Sequence, residues 1–166
     1  MNTFLVLAAL QGAAILLDEF IFHRRRGLPR WERIGHPMDT ALVLLCLLFI
    51  SFTTRSYINE ILYYGFVVFS CIFITKDEWV HRKFCTAEEM WLHAVLFILH
   101  PLMLVSAVRV WDTHQVYALM VAGGIFAFFV YQVVYWNFLE YRLREHKRVS
   151  KRRFHSDEEL YDYFGE

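Results

Sequence analysis

Residues 41–50 read ALVLLCLLFI and residues 118–130 read ALMVAGGIFAFFV, and neither stretch contains a charged side chain. A helix that covers a soluble core keeps a polar stripe on its outer face. These two have none, so apolar material must surround them. Charges elsewhere follow the same logic: none occurs in residues 1–17, only Arg55 and Glu60 in 40–75, and only Arg109 and Asp112 in 90–139. Crossing a bilayer takes about 20 mostly apolar residues. Five spans fit, at about 2–22, 37–54, 57–75, 90–110 and 115–139. Arg55-Ser56 joins the second to the third, and Asp112-Thr113-His114 joins the fourth to the fifth. Both are tight hairpins.

Composition points the same way. The 166-residue chain is 57% hydrophobic, above the roughly 45–50% of ordinary soluble domains. Lys+Arg and Asp+Glu number 17 each, and this neutral balance argues against nucleic acid as a partner. Cys46, Cys71 and Cys85 have no paired spacing, which excludes a disulfide framework and a thiolate zinc site. The first span lacks the basic leader of a signal peptide, and Arg24-Arg25-Arg26 follows it instead. Lys and Arg number five in 23–36, seven from residue 140 onward, and one in 55–60. The positive-inside rule then predicts the N-terminus outside and the C-terminus inside. The expected location is a bacterial inner (plasma) membrane, with residues 1–140 as the bundle and 141–166 as a basic, then acidic, cytoplasmic tail.

The two cytoplasmic loops between spans are alike. The first reads Asp18-Glu19-Phe20-Ile21-Phe22-His23-Arg24-Arg25, then Glu32 and His36. The second reads Asp77-Glu78-Trp79-Val80-His81-Arg82-Lys83, then Glu89 and His93. The shared pattern is D-E-[FW]-x(1–2)-H-R-[RK], a spacer, then E-x3-H. It predicts a parallel repeat of two helical hairpins, 2–54 and 57–110, forming a four-helix bundle, with the span 115–139 as a fifth helix.

Residues three or four apart share a helix face. That pairs Glu19 with His23, His36 with Asp39, Glu78 with His81, and Glu89 with His93. His100 lies seven residues past His93, on the same face and about 10 Å deeper. It directly follows the apolar run Val95–Leu99, and its alternatives to a ligand role are a backbone carbonyl, Tyr131 or Tyr135. These nine residues are the candidate metal ligands. Carboxylates with imidazoles suit iron, manganese or zinc. Glu78-x-x-His81 matches the Glu-x-x-His element of four-helix di-iron carboxylate proteins, and Glu19-x3-His23 does not. The likeness is one of architecture and ligand type. Two metal ions, iron first and manganese or zinc as alternatives, would use this inventory.

Asp18 and Asp77, one residue before the expected ligands, are read as supporting acceptors for a ligand imidazole or an arginine. Glu32 and Glu88 are candidate catalytic carboxylates. Tyr131 and Tyr135 are candidate proton or electron donors, with an interfacial belt as their plainer reading, shared by Trp136. Gly123-x3-Ala127 would allow close helix approach within the bundle or in a homo-oligomer. The leading expectation is an oxidoreductase acting on a lipid or quinone-like substrate from the bilayer. A zinc hydrolase with Glu32 or Glu88 as general base is the alternative, as is metal transport or storage. A haem site is disfavoured by the carboxylate beside each His.

Overall fold

The computed structural model describes residues 2–78, 81, 82 and 85–140. The expected tail, 141–166, lies outside them. Five helices are long and apolar enough to cross a membrane: α1 (Thr3–His23), α2 (Arg30–Phe52), α3 (Tyr57–Asp77), α4 (Ala87–Val110) and α5 (Gln115–Leu139). No strand occurs among the described residues.

Short polar side chains start three of them. Asn2 accepts a hydrogen bond from the Phe4 N–H, Ser56 from Asn59 and Thr86 from Glu89, each satisfying an amide that the first helical turn leaves open. Helix α2 begins seven residues before the expected span. Pro29 supplies an extended N-cap (φ −64°, ψ 162°), and the turn holding Glu32 and His36 is helical rather than loop. Pro37 sits inside this helix.

Three of the five helices depart from α geometry at the same end of the molecule. α1 becomes a π-helix over Asp18–His23, α3 tightens to a 3₁₀ turn over Ile74–Asp77, and α5 ends as a π-helix over Tyr135–Leu139. Such turns change which residues share a face.

Helix α1 packs along α4 and α2 along α5, with α3 against both α2 and α4. The fifth helix is therefore integral: its contact with α2 is the most extensive in the molecule. Ala118 and Ala122, both fully buried, make that approach close. Gly123, expected as a packing residue, and its neighbour Gly124 face open space instead, since a Cβ on either would meet nothing within 4 Å. Their part in an oligomer interface is left as a proposal.

The apolar core fills one half of the bundle, around Phe4, Leu47, Ile50, Tyr63, Leu104 and Trp111. The Tyr63 hydroxyl donates to the Leu104 carbonyl (2.6 Å), and Trp111 Nε1 donates to the Thr53 carbonyl (2.8 Å). The other half buries charges instead: Asp18, Glu19, Glu32, Asp77 and Glu89 are all inside. Along the outer faces of the whole bundle Leu16, Ile61, Val68, Ile72, Ile98 and Met120 are exposed. Apolar residues outside and charges inside are the arrangement of a chain whose solvent is lipid. Trp31 and Trp91, both exposed, sit near the polar end, where interfacial aromatics collect.

Candidate metal centre

In an ordinary α-helix, residues five apart point about 140° away from one another. Asp18 and His23 are five apart, yet Asp18 Oδ2 lies 3.1 Å from His23 Nε2. The π-turn of α1 accounts for this, because it spreads one extra residue over the turn and returns Asp18 and His23 to one face. In α3 the corresponding acid is Asp77, fully buried at the end of the 3₁₀ turn, with His81 four residues later.

These side chains meet partners from the neighbouring helices. Asp18, His23, Glu89 and His93 form one group of possible ligands, and His36, Asp77 and His81 form another. Within each, the ligand atoms all lie within 4.8 Å of one another. Ligands about 2.0–2.2 Å from one ion stand at most about 4.4 Å apart, so each group is close to coordinating dimensions. The groups abut: the His81 and His93 rings are 4.2 Å apart between centroids, and His23 and His36 are 4.8 Å apart.

The pairings cross between the halves of the chain. Glu89 Oε1 lies 3.8 Å from His23 Nε2, and Glu32 Oε1 lies 3.7 Å from His81 Nε2. His93 Nε2 lies 3.2 Å from Asp18 Oδ2. The remaining acids address the opposite ring nitrogens. Glu19 Oε2 is 3.4 Å from His23 Nδ1, and Glu78 Oε2 is 3.9 Å from His81 Nδ1. Hydrogen-bonded there, Glu19 holds the Nδ1 proton on the His23 ring and leaves Nε2 free to bind an ion, whereas Glu78 is beyond hydrogen-bonding distance of His81. The geometry thus exchanges the roles expected of Asp18 and Glu19: Asp18 faces the possible ligand cavity and Glu19 the far side of the imidazole. Glu19 is further fixed by a hydrogen bond from Trp136 Nε1. Trp136 is fully buried rather than in an interfacial belt.

The other expected site residues lie apart from these groups. Asp39 is held by Lys76 Nζ at 2.6 Å, and the same ammonium reaches Asp77 Oδ2 at 2.8 Å. Gly35 makes room for Lys76, because a Cβ there would stand 2.9 Å from Lys76 Cε. His100 is bonded deeper in the bundle, with Gln11 Nε2 3.3 Å from Nδ1 and Ser70 Oγ 2.9 Å from Nε2. Sequence reasoning found no local partner for His100 because both come from other helices. Glu88 is exposed in the first turn of α4. Tyr131 and Tyr135 stack on each other, with ring centroids 5.3 Å apart, and Arg24 lies over the Tyr135 ring. Cys85 joins His81 and His93 in a third possible ligand group, so the exclusion of a thiolate site from spacing does not reach a single mixed-ligand cysteine.

Five carboxylates (Asp18, Glu19, Glu32, Asp77 and Glu89) are each at most 5% exposed. Lys76 reaches Asp77, Trp136 donates to Glu19, and the histidines stand against the others. A charged side chain at the centre of a bilayer costs on the order of 2.5–3.5 kcal/mol even on the most lenient scale, and buried charges are paired or coordinate metals. Asp18 Oδ1 and His93 Nδ1 are buried with no hydrogen-bond partner among the described residues. The donor set therefore fits cations.

Comparison with known proteins gave no matching family model, no matching curated protein and no matching solved structure.

Proposed function

We propose that this chain is a membrane-embedded metalloprotein with a two-metal carboxylate–imidazole centre, acting as an oxidoreductase on a lipid-like substrate. The observation that carries the reading is the crossed arrangement of donors. Asp18 and His23 come together with Glu89 and His93. Asp77 and His81 come together with His36, and Glu32 approaches His81. Each set takes its aspartate and first histidine from one half of the chain, and its glutamate and second histidine from the other. Two-fold repetition of one mixed N/O donor set favours two ions of one kind, and iron or manganese suits such donors. A dinuclear centre in a four-helix frame is suited to electron transfer with a substrate held beside it.

The same correspondence supports the repeated hairpins. Asp18 to His23 is five residues and Asp77 to His81 is four. The extra residue falls within the π-turn, which is how a helix absorbs an insertion without rotating its flanks. On this reading the N-terminus is outside, and the centre and tail are cytoplasmic. Arg24, Arg25, Arg30 and Arg33 surround the centre's end of the bundle, as the positive-inside rule requires.

A second reading has one observation in its favour. Cys85 beside His81 and His93 is a donor set that suits zinc, and buried Glu32 near His81 would then serve a hydrolase as general base. Elemental analysis with an optical and Mössbauer spectrum separates the two. Coupled ferric ions are expected, whereas zinc alone with no visible absorption would replace the redox reading. Uptake of metal by protein-containing liposomes would instead favour transport.

A further inference from the structure

From the metal centre a cavity of about 180 Å³ runs inward to His100. That is somewhat larger than an apolar cavity of about 150 Å³ that takes up benzene, so it holds one ring. Its lining is mostly apolar, with Thr40 and Gln132 as polar residues of the wall. Toward the centre it meets Asp18 and His93. Deeper in it stand Gln11 and His100, which are bonded in series with Ser70 behind them. Because Gln11 Nε2 donates to His100 Nδ1, the His100 Nε2–H donates to the Ser70 hydroxyl. The Gln11 Oε1 is left buried without a partner among the described residues. Gln11 is 5% exposed and lines the cavity. An orphaned acceptor there calls for a donor on the ligand. His93 and His100 are seven residues apart, about 10 Å along the helix, which gives a ring room for an oxygen substituent at each end.

The cavity also has a side. α1 and α5 meet at Phe20 and Tyr131 and at Glu19 and Trp136, but they barely touch above that level. Between them the cavity wall is Ala8, Gly12 and Ile15 on α1 facing Val121, Ile125 and Phe128 on α5. A Cβ on Gly12 would meet nothing within 4 Å. This gap is a slot toward lipid.

We propose that the cavity binds a para-hydroquinone with a hydrocarbon tail: the ring between the metal centre and His100, its distal hydroxyl donating to Gln11 Oε1, and its tail leaving between α1 and α5. The placement of the near hydroxyl at the centre rests on the metal reading, while the distal contact and the slot do not. A hydroquinone has the O–H that Gln11 Oε1 lacks, whereas the oxidised quinone brings another acceptor. With Gln11 in this orientation, the distal contact favours the reduced form.

The test is calorimetric titration, without oxygen, of the full chain in lipid nanodiscs with a decyl-substituted hydroquinone, its matched quinone and decanol. Metal content is measured on the same samples. Hydroquinone is expected to bind at least about tenfold more tightly than either comparison ligand, the worth of one buried hydrogen bond. Gln11→Leu should erase that preference, and Gly12→Phe, which fills the slot without touching a polar group, should weaken binding at least about tenfold. Metal content should be unchanged in both variants. Equal or tighter binding of quinone or decanol overturns the proposal, as does unaltered binding by Gly12→Phe. Selective hydroquinone binding by a metal-free protein would leave this site standing and remove the metal reading, and a metal-loaded protein with no preference would do the reverse.

Discussion

At the scale of single residues, the account turns on which member of the Asp18-Glu19 pair faces the ions. Asp18 Oδ2 approaches both His23 Nε2 and His93 Nε2, while Glu19 approaches His23 Nδ1. Asp18→Ala should lower the metal bound to roughly one equivalent per chain. Glu19→Gln should keep the stoichiometry and weaken affinity by about 10–100-fold, the usual effect of losing a carboxylate behind a ligand imidazole. Metal titration against a chelator measures both, and equal losses from the two variants would show that the roles are not divided in this way. Gly35 offers an independent check. Its missing Cβ admits Lys76, which bridges Asp39 and Asp77. Gly35→Ala should displace that ammonium at little cost to the fold, since the end of a flexible side chain can move, and should loosen the ion beside Asp77. Metal analysis with thermal unfolding in detergent reads both, and unchanged metal affinity would show that Lys76 has no part in holding Asp77.

At the scale of elements, the five spans are legible because charge-free runs of that length have a single physical solution in water-excluding surroundings. The convergence of acids and histidines at one end is legible from their order along the chain. The division of roles is not: a period of 3.6 assigns Glu19 to the face of His23, and the π-turn of α1 also brings Asp18 to that imidazole. Asp77 and Glu78, four and three residues before His81, are both within its face, and the period does not choose between them. His100 shows another limit: its partners Gln11 and Ser70 stand 89 and 30 residues away, and no local pattern announces them. The π-turn makes a prediction of its own. Deleting Ile21 should convert Asp18–His23 into an α-turn with the four-residue spacing of Asp77–His81, leaving both flanks in register and metal retained. Deleting Leu16, one turn earlier in regular helix, should rotate one flank by about 100° and abolish metal binding. Metal content and size-exclusion profiles of the two deletions decide this, and equal damage from both would contradict the role given to the π-turn.

At the scale of the whole molecule, apolar side chains face outward while a packed apolar half supports a charged half. The fifth helix completes the structure, for α5 lies along α2 and delivers Trp136 to Glu19. The proposed orientation rests on the basic residues around the centre. A C-terminal fusion to a phosphatase active only outside the membrane should be silent, and the same fusion after Arg55 should be active; the opposite pattern would invert the topology. The central claim is that the buried carboxylates and imidazoles exist to hold a pair of ions. It is tested most directly by counting metal per chain in purified protein and in the His93→Ala and His36→Ala variants. The account predicts roughly two equivalents in the wild type and roughly one in each variant. A folded wild-type protein that carries no metal, and takes up none when iron, manganese or zinc is supplied, would contradict it.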